Sequence, residues 1–110
     1  MSANIGMSLT TTKLEVAAGE SVETAIAITN QGQIVDHFAI KVEGLDPTWW
    51  TLSTRSVSLF PGDKDQATLT IHPPKDAEAK AGSYSFSIKA TSQANPQEST
   101  AEEAYLILRG

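Results

Sequence analysis

The sequence predicts an all-β domain, an antiparallel β-sandwich of seven or eight strands without a disulfide bond. Apolar and polar residues alternate with a period of two through most of the chain, which is typical of half-buried strands. Short turns rich in Gly, Pro, Asn and Asp separate these runs, and no convincing helix interrupts them. Because the chain contains no cysteine, the sandwich must depend on packing alone.

The stretch from residue 44 to 62 contains both tryptophans and organises the pattern around it. An Asp-Pro turn opens it at positions 46–47, since Pro presets φ and Asp bonds its own backbone. Val57 and Leu59 then alternate with serines up to a Pro-Gly-Asp turn. A second alternating run follows at once, with Ala67, Leu69 and Ile71 on one face. Two strands joined this closely predict an antiparallel pair.

The first strand changes the side that it buries. Met7 and Leu9 share one alternating phase, whereas Leu14 and Val16 share the other. A bulge or a switch between sheets at residues 10–13 explains this shift. Residues 1–6 are expected to form a loose N-terminal tail, and residues 1–110 a single domain.

The other strands show the same alternation. Their apolar positions are Val22, Ile26 and Ile28, then Phe38, Ile40 and Val42, and finally Tyr84, Phe86, Ile88 and Ala90. Lys75 to Lys80 has helical propensity but is too short for a stable helix, so it is expected to be a loop with one helical turn at most. The last strand, residues 104–108, is apolar on both faces and is therefore either central or covered.

Two parts of the chain share an internal sequence similarity. Placing Gly19 over Gly62 brings Leu14 onto Val57 and Ile26 onto Leu69. This predicts two similar strand-turn-strand units in pseudo-equivalent places, with Gly19 and Gly62 as structural turn residues. Two copies are too few for a solenoid.

Charge and hydropathy exclude several classes of partner. The formal net charge is -5, and the eight basic residues form no cluster, which argues against a nucleic-acid surface. The N-terminus lacks the pattern of a secretory signal, and no apolar run is long enough for membrane insertion. The compartment stays open, because an excised domain of an exported protein would have the same sequence.

No set of residues predicts catalysis, a metal or a cofactor. His37 and His72 lie on different predicted strands, and the carboxylates are spread over turns and outer faces. No Gly-x-Ser-x-Gly motif occurs, and neither histidine has a recognisable nucleophile beside it. The chain is therefore not expected to be an enzyme, and no cofactor is expected.

Several local motifs together resemble the NEW3 domain, an immunoglobulin-like bacterial module found beside catalytic domains in secreted glycosidases. They occur in a matching order from about Leu14 to Leu108 and are Ala18-Gly19-Glu20, Thr29-Asn30, Gly44-Leu45 with Pro47 and Trp49, Leu59-Phe60-Pro61-Gly62, Pro73-Pro74 and Ala81-Gly82-Ser83-Tyr84. The resemblance implies an immunoglobulin-like sandwich in which Trp49 is the structural tryptophan. Tyr84 then resembles a tyrosine corner, and Phe86 stands where an immunoglobulin domain carries its second cysteine.

Three residues are candidates for partner contact. Trp49 and Trp50 are adjacent and point to opposite sides of an extended segment, so Trp50 is left for a partner, a sugar ring or a sheet edge. Tyr105 and Ile107 face outward if Leu106 and Leu108 face the core.

The leading functional hypothesis is a non-catalytic structural or protein-interaction module. It would act as a spacer or assembly domain in a larger bacterial protein or complex, such as a phage-like or contractile particle. The alternative is a carbohydrate-binding accessory domain of a secreted glycosidase-type protein, with Trp50 as the stacking platform.

Overall fold

The computed structural model describes residues 5–75 and 80–109, and these form nine β-strands and one short 3-10 helix. The predicted all-β, immunoglobulin-like sandwich is confirmed. The strands are β1 (Ile5–Leu9), β2 (Lys13–Ala17), β3 (Val22–Asn30), β4 (Asp36–Glu43), β5 (Trp50–Leu52), β6 (Ser56–Leu59), β7 (Lys64–Ile71), β8 (Gly82–Ser92) and β9 (Ser99–Arg109), with the 3-10 helix at Pro47–Trp49.

Two sheets face each other across one core. The four-stranded sheet has the order β1-β3-β7-β5, and the five-stranded sheet has the order β2-β9-β8-β4-β6. All neighbouring strands run antiparallel except β2 and β9, which are parallel. The domain is elongated, measuring 48 × 24 × 20 Å.

The predicted switch in the first strand is confirmed. β1 pairs with β3 in the four-stranded sheet, whereas β2 crosses over to pair with β9 in the other sheet. The crossing is held by Thr24, whose hydroxyl donates to the carbonyl of Thr11 at 3.0 Å. This split and the short β5 explain why the described residues form more strands than were predicted.

The prediction that the run at Val57–Leu59 pairs with the run at 67–71 is wrong. β6 pairs with β4 in the five-stranded sheet, and β7 pairs with β3 and β5 in the four-stranded sheet. The tight turn at 60–63 therefore carries the chain from one sheet to the other. Both runs still bury their apolar faces, because each points into the shared core from its own sheet.

The two internally similar segments occupy comparable places in the sandwich. β2 and β6 are the two edges of the five-stranded sheet, and β3 and β7 are adjacent in the four-stranded sheet. Each unit thus leads from one edge, through a glycine turn, to the centre of the opposite sheet. Gly19 and Gly62 both have positive φ, +86° and +83°, as such turns require.

The structure describes only part of two segments that were predicted to be irregular, the N-terminal tail and the loop at residues 75–80. β1 begins at Ile5, which pairs with Asn30 and is buried, so Ile5 and Gly6 belong to a strand where a loose tail was expected. Residues 1–4 lie outside the described residues. So do residues 76–79, which form most of the loop predicted between Lys75 and Lys80.

Alternation along the strands builds the core. Residues at every second position of the central strands are almost fully buried: Ile26, Ile28, Phe38, Ile40, Leu69, Ile71, Phe86, Ile88, Leu106 and Leu108. Burial of apolar area on this scale is the main stabilising contribution to a domain without disulfides.

Candidate functional site

The 3-10 helix places Trp49 in the core. Asp46 caps it by accepting a hydrogen bond from the backbone N–H of Thr48 at 2.9 Å, and Pro47 occupies its first turn. The bonds from the Thr48 backbone and hydroxyl lower the pKa of the Asp46 carboxyl below its ordinary value. The indole of Trp49 is buried and lies edge-on to the ring of Tyr84, with 5.4 Å between ring centroids.

Tyr84, which contacts this tryptophan, lies on β8 together with Phe86. The Tyr84 hydroxyl donates to the backbone carbonyl of Lys80, which is the geometry of a tyrosine corner. Phe86 is buried two residues further along the strand. Trp49 and Phe86 are thus part of the core, and Tyr84 packs partly buried against it.

Trp50 lies on β5, an edge strand of the four-stranded sheet, which is one of the three places expected for it. It begins β5, pairs with Ile71 and packs partly buried against the core. Its indole N–H is buried and has no hydrogen-bond partner in the described part of the chain.

Tyr105 and Ile107 lie on the outer face of the five-stranded sheet, since Leu106 and Leu108 are buried. Tyr105 is 47% exposed and stands beside Ser85 on β8. Ile107 is only half-buried, beside Glu15 of the parallel edge strand.

A shallow groove of about 380 Å³ runs past Tyr105. Two carboxylates and two serines line it together with the aromatic ring: Glu43, Glu103, Ser85 and Ser87. The groove thus brings a sequence-predicted contact residue together with polar side chains in a concave surface.

The two histidines have ordinary polar partners. The His37 ring shares a hydrogen bond with the hydroxyl of Ser58, and Nε2 of His72 lies 2.8 Å from the hydroxyl of Thr51. Among the described residues, no group of three or more His, Asp or Glu side chains could hold a metal ion. No helix within residues 5–75 and 80–109 is long and apolar enough to cross a membrane.

Sequence reasoning missed a surface at the end of the molecule where β1 begins. The most exposed large apolar side chains of the described chain lie there: Phe60 (67%), Ile34 (63%) and Val35 (50%). Asp36 pairs with Leu59 where β4 begins and β6 ends, so Val35 and Phe60 each adjoin this pair in sequence. The two apolar segments are thus neighbours in space although they are far apart in sequence.

Asn30 holds these segments together. Its side-chain nitrogen donates to the carbonyls of Ile34 and Leu59, each at 2.9 Å, and its oxygen accepts from the backbone N–H of Gly32 at 2.8 Å. Asn30 is 1% exposed, and its amide uses both donor and acceptor. Its backbone also bonds to both Gly62 and Asp63 in the β6–β7 turn.

Asp36 anchors a third loop at the same end. Its carboxylate accepts from the backbone N–H of Ala94 at 3.0 Å and from the hydroxyl of Ser92. Burial raises the pKa of Asp36, but the hydrogen bonds from Ser92 and from the Ala94, His37 and Gln93 backbone outweigh it and lower that pKa below its ordinary value.

Residues 31–35, 60–62 and 93–97 therefore share one end of the sandwich, which we call the amide pole. The loops at 31–35 and 93–97 enclose a cavity of about 210 Å³ with Asp36 and Ser92 on its wall. The pole combines three exposed apolar side chains with the amides of Gln31, Gln33, Gln93, Asn95 and Gln97.

Comparison with known proteins defines the fold and leaves the family open. No family model matches the chain, and no curated protein matches it by sequence. A solved structure of a FixG-related protein from Vibrio parahaemolyticus is similar over almost all of both chains, with a TM-score of 0.76, 14% identity, and 97% of this chain and 98% of that chain covered.

Two larger proteins contain a similar region. A family 123 glycoside hydrolase from Clostridium perfringens has a TM-score of 0.77 at 12% identity, with 96% of this chain and 27% of that chain covered. Native alpha-2-macroglobulin from Escherichia coli has a TM-score of 0.67 at 16% identity, with 99% of this chain and 17% of that chain covered. At such identities the likeness shows a β-sandwich and no shared function.

Proposed function

We propose that the chain is a non-catalytic, immunoglobulin-like interaction module that serves as a spacer or assembly domain in a larger bacterial protein or complex. The observation that carries this proposal is the gathering of Phe60, Ile34 and Val35 at the amide pole. Exposed large apolar side chains gathered at one end of a folded domain favour a contact surface, because leaving them in water is unfavourable.

Two further points support a module role. Similar sandwiches make up about a quarter or less of the glycoside hydrolase and macroglobulin chains, so this fold occurs as one part of larger proteins. The NEW3 resemblance, with Trp49 and Tyr84 in contact and Phe86 buried nearby, adds the bacterial multidomain setting to the proposal. A phage-like or contractile particle is one such setting.

Site-specific photo-crosslinking tests the proposed contact. Benzoylphenylalanine at position 60 should give discrete protein crosslinks in an extract of the cells that produce the protein. The same group at position 105 is the matched control, since Tyr105 is also an exposed aromatic residue but lies on a sheet face. Crosslinks from position 105 alone would move the contact to the sheet, and none from either position would contradict the module proposal.

Carbohydrate binding is a second candidate, favoured by the groove beside Tyr105. Sugar sites combine an aromatic platform with polar groups that fix orientation, and Glu43, Glu103 and two serines supply those groups here. The partly buried Trp50 is a poorer platform, so the candidate moves to Tyr105 and the groove.

Calorimetric titration with a panel of soluble polysaccharides tests this candidate. Binding that Tyr105→Ala abolishes and Phe60→Ser leaves intact would support it. No heat from any polysaccharide, or binding that survives Tyr105→Ala, would contradict it.

A further inference from the structure

We infer that β1 is a self-pairing edge, along which a second copy of this chain adds its own β1 in the antiparallel direction. The inference goes beyond the proposed contact at the amide pole and concerns a different part of the sandwich. β1 is an edge strand of the four-stranded sheet. Within residues 5–75 and 80–109, only β3 pairs with it, so its other side has no neighbouring strand.

The free side of β1 presents main-chain groups that a strand would satisfy. Thr10 donates its backbone N–H to the carbonyl of Ala25 at 3.0 Å, which continues the β1–β3 register by one residue. Opposed residues of an antiparallel pair alternate between bonded and non-bonded, so residues 6 and 8 also bond to β3. The N–H and C=O groups of Ile5, Met7 and Leu9 therefore point to the free side. Donors and acceptors at this alternate spacing match another extended strand.

β1 is less protected than the other sheet edges. Folded proteins usually protect an exposed edge with charged side chains, with very short strands or by covering it. β2 carries Lys13 and Glu15, and β5 is only three residues long. In β6, the hydroxyl of Thr54 donates to the carbonyl of Ser56 at 2.8 Å. β1, by contrast, has five residues and contains neither a charge nor a proline.

β1 is complementary to itself in one register. When Met7 faces Met7 of the second copy, Ile5 of each copy faces Leu9 of the other, and each of these pairs exchanges both of its N–H···O bonds. Met7 and Leu9 are only partly buried in one copy, and the apolar side chains of the other would cover them. On the opposite side of the strand, Gly6 meets the small Ser8. The same strand on both copies closes a two-fold dimer that joins the two four-stranded sheets.

Charge sets the salt dependence of this dimer. Neither β1 nor residues 24–30 of the neighbouring β3 contain a charged side chain. Each copy nevertheless has a net charge of -5, so two copies repel each other as whole molecules. Raising the salt concentration screens this repulsion and should strengthen the dimer. Because a five-residue strand offers a small interface, the dissociation constant should be about 0.1–1 mM.

Single introduced cysteines test the register, since the chain has none of its own. Met7→Cys should give a disulfide-linked dimer under mild oxidation, because opposed residues of a bonded antiparallel pair lie about 5.5 Å apart at Cα, within reach of a disulfide. Leu9→Cys is the matched control, since Leu9 is also partly buried on this edge. Its two copies would lie about 13 Å apart along the paired strands, so it should give little disulfide.

Sedimentation equilibrium tests the association itself. The average mass should rise above 11.7 kDa as the concentration approaches about 1 mM, and should rise further at high salt. Met7→Pro removes the central N–H of the free side, which does not bond to β3, and should keep the protein monomeric. Met7→Val keeps this N–H and an apolar side chain, so it should associate like the wild type.

Three results would overturn the self-pairing. They are a constant monomer mass at about 1 mM in high salt, as much disulfide from Leu9→Cys as from Met7→Cys, and a folded Met7→Pro variant that associates like the wild type. If Met7→Pro does not fold, the comparison of the two cysteine variants still decides. A monomer that gives crosslinks from position 60 would reject the self-pairing alone and leave the proposed contact at the amide pole in place.

Discussion

Replacing Asn30 with alanine should destabilise the domain far more than its position at the end of a strand suggests. The substitution removes three side-chain hydrogen bonds, to the carbonyls of Ile34 and Leu59 and from the N–H of Gly32. The backbone bonds of residue 30 to the β6–β7 turn do not involve the side chain and remain.

The magnitude follows from the surroundings of each partner. The Leu59 carbonyl is buried, so leaving it without a donor costs about 1–3 kcal/mol. The bonds involving Ile34 and Gly32 are only partly buried, and water can replace Asn30 there, so each contributes about 0.5–1 kcal/mol. The free energy of unfolding should fall by about 2–5 kcal/mol, a large share of the 5–15 kcal/mol typical of a domain.

Urea unfolding followed by tryptophan fluorescence measures this change. Asn30→Asp keeps the shape and the acceptor but loses both donors, so it should cost at least as much as Asn30→Ala at neutral pH. Asn95→Ala is the matched control, because Asn95 is exposed and its oxygen accepts only a weak bond at 3.3 Å from Gln97. A loss below about 1 kcal/mol in Asn30→Ala would refute the assigned role, since that is the net value of one ordinary hydrogen bond.

Three further predictions concern single residues. Tyr84→Phe removes the hydroxyl that closes the tyrosine corner and should lower the free energy of unfolding by about 0.5–1.5 kcal/mol; in a urea titration, an unchanged midpoint would contradict the corner. The lowered pKa of Asp36 means that its contribution to stability is complete above the unfolded pKa of about 3.9 and is lost as the pH falls through the folded pKa. Wild-type stability should therefore fall more steeply below pH 4 than that of Asp36→Asn, and parallel acid-unfolding curves would count against this. Gly62 has φ +83° and open space around it, so Gly62→Ala should lower the free energy of unfolding by about 1 kcal/mol, measured by thermal unfolding. Gly44 has φ +101° and a backbone oxygen 2.9 Å from an added Cβ, so Gly44→Ala should lower it clearly more. Equal losses would show that the backbone near residue 44 can move to accommodate the methyl group.

The strands and their buried faces could be predicted because they depend on local alternation. Side chains alternate across a strand, so a run such as 84–90 indicates both an element and its buried side. The phase shift between Leu9 and Leu14 predicted a bulge or a switch between sheets, and the structure shows the switch. Pairing was harder to predict: a short turn after Leu59 favours a hairpin, yet the same turn can join two sheets when each run has its own apolar face.

The tryptophans show where a strand rule stops applying. Adjacent residues point to opposite sides only on extended backbone, and the turn at Pro47–Trp49 ends just before Trp50. Both rings therefore reach the core region, Trp49 buried and Trp50 partly buried. The Asp-Pro pair at 46–47 was the signal for this, because an Asp cap followed by Pro also starts a helical turn.

The amide pole was not predictable because no periodicity marks it. Ile34 and Val35 are ordinary apolar residues in a sequence pattern, and only their exposure in the folded chain distinguishes them from core residues. The position of these loops depends on the Asn30 side chain, which donates to the carbonyl of Ile34 and to that of Leu59, 29 residues further along the chain. Tyr105 and Ile107 stand out from alternation alone, since their strand is apolar on both faces. Sequence patterns thus indicate exposed apolar residues on a sheet face, such as Tyr105. A surface built from several loops can be recognised only when the long-range hydrogen bonds that position the loops are known. In the described part of this chain, the loop residues Phe60, Ile34 and Val35 are each more exposed than Tyr105.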